Sequence, residues 1–122
     1  MIIQTITLDG VFGRWWGIHR FTKMTDDNGN VIEYSHDSKR GLTEEEMNKE
    51  YKSLLKIGTG MKRKIETKNI TIDEYIDNLE KSIDQYVEYI DNGKQYREAV
   101  ESNRKIRERI EQFKALQKKG VK

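Results

Sequence analysis

Thr71-Ile72-Asp73-Glu74-Tyr75-Ile76-Asp77-Asn78-Leu79-Glu80-Lys81-Ser82-Ile83-Asp84-Gln85-Tyr86-Val87-Glu88-Tyr89-Ile90-Asp91 is the stretch that decides how this chain folds. Ile72, Ile76, Leu79, Ile83, Val87 and Ile90 recur at steps of three and four. That spacing predicts one apolar helical face roughly 30 Å long at about 1.5 Å per residue. A second stripe follows over 94–118, through Tyr96, Val100, Asn103, Ile106, Ile110, Phe113 and Leu116. A single unbroken helix would turn the second stripe roughly 200° away from the first, leaving two faces that each need a partner. A reversal at Asp91-Asn92-Gly93 lets them face each other, and Asn-Gly is a common helix stop.

Charge agrees. Residues 71–92 carry one Lys against seven Asp plus Glu, a net of −6, and residues 93–122 carry ten Lys plus Arg against four Glu, a net of +6. An acidic helix folded on a basic one avoids like-charge repulsion, although each exposed pair contributes only about 0–1 kcal/mol. The expected architecture here is an antiparallel helical hairpin over 71–91 and 94–118.

Working back from the hairpin, Leu42-Thr43-Glu44-Glu45-Glu46 opens a short helix over 43–57. Thr43 stands at the N-cap and Glu46 at the capping-box position, with acids at the positive end of the helix dipole. Gly58-Thr59-Gly60 ends it, and Met61–Ile70 reads either as a loop or as a short strand at Lys64-Ile65-Glu66-Thr67. At the N-terminus, Ile2, Ile6 and Leu8 alternate with polar residues as in a half-buried strand. Asp9-Gly10 is the expected hairpin turn. The return strand runs from Val11 to Phe21, with Gly13 and Gly17 marking a bulge or a close backbone approach. Asp26-Asp27-Asn28-Gly29-Asn30 predicts a further turn before a strand at Val31–Tyr34. The expected fold is α+β: a three- or four-stranded antiparallel meander over 1–36, a short helix, then the helical hairpin, in one domain.

Composition bounds the function. In 122 residues, charged side chains reach 36 % and hydrophobic ones 34 %, so apolar surface must be used efficiently or shared, and a homodimer through the C-terminal helices is one expected solution. A net charge of +2 points neither to a strongly basic nucleic-acid protein nor to an acidic nucleic-acid mimic. No cysteine is present, which removes disulfides and thiolate metal sites and fits a bacterial cytoplasm. No apolar run approaches the roughly 20 residues that span a bilayer, so no membrane partner is expected.

Arg14-Trp15-Trp16-Gly17-Ile18-His19-Arg20-Phe21 is the most distinctive run. Aromatic and cationic side chains interleaved on a sheet either stack and neutralise single-stranded nucleic acid or anchor a protein partner. One Trp could instead serve as the contact between sheet and helices. Arg14, Trp15, Trp16, His19, Arg20 and Phe21 are the expected partner-binding residues. Lys39, Arg40, Lys62, Arg63 and Lys64 form a candidate phosphate-contacting patch, with ordinary solvated surface as the alternative. Asn103, polar on an apolar stripe, either fixes register and oligomeric state or marks an exposed edge of the stripe.

Other signals fail on spacing. With Gly29 at the sixth position of a calcium loop, Met24 and Ser35 would occupy the first and twelfth, where acids are required. Gly58-Thr59-Gly60-Met61-Lys62 is not a P-loop. His19 and His36 lack any metal-ligand spacing, so neither metal nor cofactor is expected, and His36 beside Asp37 remains only as a general base in a nuclease-like site. The function expected from these residues is a non-enzymatic, phage- or mobile-element-type interaction protein. It would inhibit a host protein or nucleoprotein machine, a defence nuclease among them, in the bacterial cytoplasm by occluding a surface. The alternative is nucleic-acid binding through the aromatic and basic sheet face.

Overall fold

The computed structural model describes residues 1–88 and 93–120, with side chains for 1–83 and 100–119. Strands β1 (Ile2–Phe12), β2 (Trp15–Thr25), β3 (Val31–His36) and β4 (Lys39–Leu42) are followed by α1 (Glu44–Ile57) and β5 (Gly58–Asn69), then by α2 (Ile72–Glu88) and α3 (Gly93–Gly120). The chain is α+β, and it divides into two compact units, Met1–Asn69 and Ile70–Lys122.

In the first unit all five strands form one antiparallel sheet in the order β4-β3-β2-β1-β5. The strand count exceeds the three or four expected: the short strand allowed for at Lys64–Thr67 lies within the longer β5, β4 is the further addition, and both are edges. β5 carries Lys62, Arg63, Lys64 and Lys68 without alternation, because a strand at an edge is kept from pairing further by charge. β4 is four residues long and turns back from β3 at Asp37-Ser38, where Asp37 takes the left-handed conformation at φ 51°. Asp tolerates that region better than most residues.

The first hairpin turns four residues later than Asp9-Gly10. Phe12 pairs with Trp15, and the turn residues are Gly13 and Arg14, with the positive φ of 71° on Gly13, the pattern of a type II′ hairpin. Asp9 and Gly10 lie within β1 because the inward alternation Ile6, Leu8, Gly10, Phe12 continues through them. Gly10 is required for a different reason. A Cβ there would stand 2.8 Å from Met61 Cγ and 3.0 Å from Thr59 O. The β1–β5 register slips between Asp9 and Val11, and Gly60 takes φ 60°, so β5 bulges opposite Gly10 with a left-handed glycine.

One sheet face carries α1. Leu8 and Phe21 are its fully buried residues, and Phe21 meets the Tyr51 ring edge-on at 5.2 Å. The helix starts as its sequence dictates. Thr43 Oγ1 accepts from Glu46 N at 3.1 Å, and Glu46 Oε1 accepts from Thr43 N at 3.0 Å. Between β2 and β3, Asp26 Oδ1 accepts from the backbone N–H of both Asn28 and Asn30 at 2.9 Å.

In the second unit, α2 and α3 pack on one another. The Tyr75 ring lies tilted at 51° against Phe113 with centroids 4.5 Å apart, Arg109 Nε donates to Tyr75 Oη at 2.7 Å, and Gln117 bonds Asp73. The start of α2 therefore meets the end of α3. Thr71 caps α2 by accepting from Glu74 N at 3.0 Å. Among the described side chains the apolar stripe of α2 runs Ile72, Ile76, Leu79, Ile83, with Ile76 buried, and that of α3 runs Asn103, Ile106, Ile110, Phe113, Leu116, with Asn103, Ile110 and Phe113 buried. Gly93 belongs to α3, and the expected reversal at 91–92 lies outside the described residues.

Two outcomes are expected of these contacts. Asn103 is buried and its Oδ1 has no hydrogen-bond partner among the described residues, so Asn103→Leu should raise stability in denaturant unfolding by about 1–3 kcal/mol. The Glu46 carboxyl is held below its ordinary value of 4.5, chiefly by the Thr43 backbone N–H. A lowered carboxyl stabilises the fold above its unfolded value and loses that contribution as pH falls through the folded one. Thermal unfolding scanned downward from about pH 5 should therefore fall more steeply for the native chain than for Glu46→Gln.

Candidate functional site

β2 alternates its side chains between the two faces of the sheet, and its register with β1 fixes what each meets. Trp15, His19 and Phe21 lie on the α1 face with Phe12 and Leu8, while Trp16, Ile18 and Arg20 lie on the opposite face with Val11, Asp9 and Thr7. Both tryptophans are at the hairpin tip and both are exposed, Trp15 at 79 % and Trp16 at 65 %. Val11, Ile18 and, one residue before β5, Ile57 are also exposed apolar residues at this end of the sheet. Arg14 occupies the hairpin turn directly before the two tryptophans.

The structure separates the remaining sequence-derived candidates. Phe21 is 2 % exposed and stacks on His36 with centroids 4.1 Å apart, so its ring is core and unavailable to a partner. The basic residues do not form one patch, because Lys39 and Arg40 sit on β4 and Lys62, Arg63 and Lys64 on β5, at opposite edges of the sheet. Within β5 they divide again. Arg63 faces α1, with Nη1 3.4 Å from Tyr51 Oη, whereas Lys62 and Lys64 share the face of Trp16 and Arg20. Two of the cations there have anionic neighbours: Lys62 is directly across from Asp9, and Lys64 bonds Glu66 at 2.9 Å. Lys64, followed by Lys68 and Arg20, holds the Glu66 carboxyl below the usual range. Asn103 is buried in the second unit, which removes its reading as an exposed edge.

A second constellation was invisible in the spacing. The β2–β3 register sets Phe21 across from His36, and the β3–β4 turn swings Asp37 over β2. His19 Nδ1 lies 3.0 Å from His36 Nε2 and 3.0 Å from Asp37 Oδ2, and His36 Nε2 lies 3.2 Å from the same oxygen. The backbone fixes Asp37: its N–H donates to Arg20 O at 2.8 Å, and its Oδ1 accepts from Arg20 N at 2.9 Å. Phe12 packs edge-on against the His19 ring at 4.9 Å. Phe12 is itself backed by Gly58, where a Cβ would come within 2.6 Å of Met61 Sδ and 2.9 Å of the Phe12 ring. From α1, Glu50 Oε1 reaches His36 Nδ1 at 3.4 Å and accepts from Lys39 Nζ at 2.8 Å. The Lys39 bond holds the Glu50 carboxyl below the usual range and raises Lys39 in return. A groove of about 530 Å³ opens beside this pair, lined by His36, Lys39, Leu42, Glu50 and Leu54 among others.

No protein-family model, curated protein or solved structure matches this chain. Among the described residues no helix is long and apolar enough to cross a membrane.

The exposure of the tryptophans has a direct readout. Trp15→Phe and Trp16→Phe should each remove part of a solvent-like, readily quenched emission. Each should leave unfolding within about 0.5 kcal/mol of the native chain, as for a surface change.

Proposed function

We propose that this chain is a small binding protein that acts without catalysis, occluding a surface of a larger protein or nucleoprotein machine with the tip of its β1–β2 hairpin as the anchor. The observation that carries this reading is the pair of exposed tryptophans on opposite faces of one hairpin end. A sheet that used Trp for its own core would bury it. Here Leu8 and Phe21 fill that role, and the tryptophans contribute nothing to the interior of the first unit. A buried Trp or similar aromatic covers about 150–250 Å², so two make up a large share of the roughly 800 Å² that each side of a standard interface contributes. Val11, Ile18 and Ile57 extend the apolar area, and Arg14 and Arg20 supply the cationic rim that orients an approaching partner.

A second reading is supported by one specific arrangement. Trp16 shares its face with Arg20, Lys62, Lys64 and Lys68, the combination of stacking surface and cations that suits single-stranded nucleic acid. It ranks second because Asp9 and Glu66 offset two of those cations, and because Trp15, on the other face, would be left without a role.

Tryptophan emission titrated with single-stranded and duplex oligonucleotides, at low and high salt, separates the two. The proposed function expects no salt-sensitive quenching. It also expects that a machine co-purified from host lysate loses its inhibition by Trp15→Ala and Trp16→Ala alike, each weakening binding at least tenfold while the variant stays folded. Quenching that fades with salt and disappears only in Trp16→Ala would replace it with the nucleic-acid reading. Full inhibition by both folded variants would remove the hairpin tip as the anchor.

A further inference from the structure

We propose that His19, His36 and Asp37 form a binding site for a divalent first-row transition-metal ion of the zinc type. His19 Nδ1, His36 Nε2 and Asp37 Oδ2 make a triangle with sides of 3.0, 3.0 and 3.2 Å. A cation about 2.1 Å from each of three donors requires them about 3.0–3.4 Å apart, for angles between octahedral and tetrahedral. The triangle is therefore of the size that one such ion spans.

Proton bookkeeping points the same way. With Nδ1 turned to Glu50 Oε1, His36 directs its Nε2 toward Asp37 Oδ2 and His19 Nδ1. Without an ion, a proton on His19 Nδ1 can be shared between the two acceptors; a metal ion in its place engages all three lone pairs at once. A carboxylate behind the distal ring nitrogen is also the arrangement that orients a metal-bound imidazole and raises its basicity. Glu50 holds that place and is itself fixed by Lys39. The donors are held before any ion arrives: Phe21 stacks on His36, Phe12 abuts His19, and Asp37 is clamped by donating its N–H to Arg20 O and accepting from Arg20 N–H at Oδ1.

Two imidazoles and one carboxylate select against calcium and magnesium, which favour all-oxygen shells, and toward zinc and its neighbours. Three protein donors leave at least one coordination position open. That position faces solvent, since the Asp37 and His19 side chains are 40 % and 28 % exposed. A water molecule or an anionic oxygen, such as a phosphate or carboxylate of a docked partner, is the ligand that fits it. The site stands on the same face as Trp15, four residues along β2, or about 13 Å at 3.3 Å per residue.

The test uses the untagged full chain, stripped of metal, titrated with Co²⁺ and then with Zn²⁺. Because His19 and His36 are the only histidines, the imidazole nitrogen resonances report on this site alone. Expected are saturation at one equivalent, visible Co²⁺ ligand-field bands that Zn²⁺ abolishes, and shifts of both imidazoles. Affinity should fall at least tenfold in His19→Gln and in Asp37→Asn and by about tenfold in Glu50→Gln. His36 is left intact because its ring packs on Phe21. Absence of one-equivalent binding would overturn the proposal. So would binding of undiminished affinity in folded His19→Gln and Asp37→Asn, which would place the ion elsewhere.

Discussion

Strand β1 is hydrogen-bonded along its length to β2 on one side and to β5 on the other, and the rest of the first unit depends on those two registers. A strand with two partners cannot slip against one without breaking the other, and a slip by one residue would turn every side chain to the wrong face. The β2 register places Leu8 beside His19 and Ile6 beside Phe21, which settles both the core under α1 and the position of the first imidazole. The β5 register needs a bulge at Gly60 opposite Gly10, and that bulge lays Met61 over Gly10 and Gly58, the second of which also abuts the Phe12 ring. Phe12 in turn supports His19. A line of packing thus runs from an edge-strand irregularity to the ligand-like cluster on β2.

The features legible from sequence were those with local causes. α1 carries its own capping box at Thr43 and Glu46, and α2 its own cap at Thr71. Both helices, with α3, show apolar residues at helical spacing. The strands were legible only where one face was buried against a helix. β5 was legible only as one of two alternatives, a short strand at Lys64–Thr67 or a loop, because as an edge strand with exposed side chains from Lys62 to Asn69 it has no apolar face to alternate. The turn at Asp9-Gly10 was misplaced for a related reason. Asp-Gly has strong turn propensity, but the inward run of Ile6, Leu8 and Phe12 continues through it, and cross-strand packing outweighs the preference of two residues.

The functional residues divide in the same way. Trp15 and Trp16 stood out in the sequence because adjacent aromatics on a strand must point to opposite faces, and a small domain rarely covers both. The structure leaves both uncovered at the hairpin tip. The basic patch had no such geometric warrant. Lys39-Arg40 and Lys62-Arg63-Lys64 resemble each other in composition, but composition says nothing about which edge of a sheet a strand occupies, and the two runs take opposite edges.

His19, His36 and Asp37 are the clearest case of a site created by topology. The two histidines lie seventeen positions apart, a spacing that matches no helical or loop metal motif. They meet because a β2–β3 hairpin brings His36 opposite Phe21, on the same face as His19 and one alternation away, and because the next turn bends Asp37 back onto the Arg20 backbone. Each step is ordinary antiparallel geometry. Their sum is convergence of three donor atoms with aromatic rings behind two of them and a carboxylate behind the third ring nitrogen, Nδ1 of His36. Ordinary packing would not require that convergence: a core needs apolar contact, and Phe21 already provides it under Tyr51. Two histidines and an aspartate drawn to one point at the margin of that core, with a further carboxylate–lysine pair aligned behind, are better explained by the charge they can hold than by the interior they border.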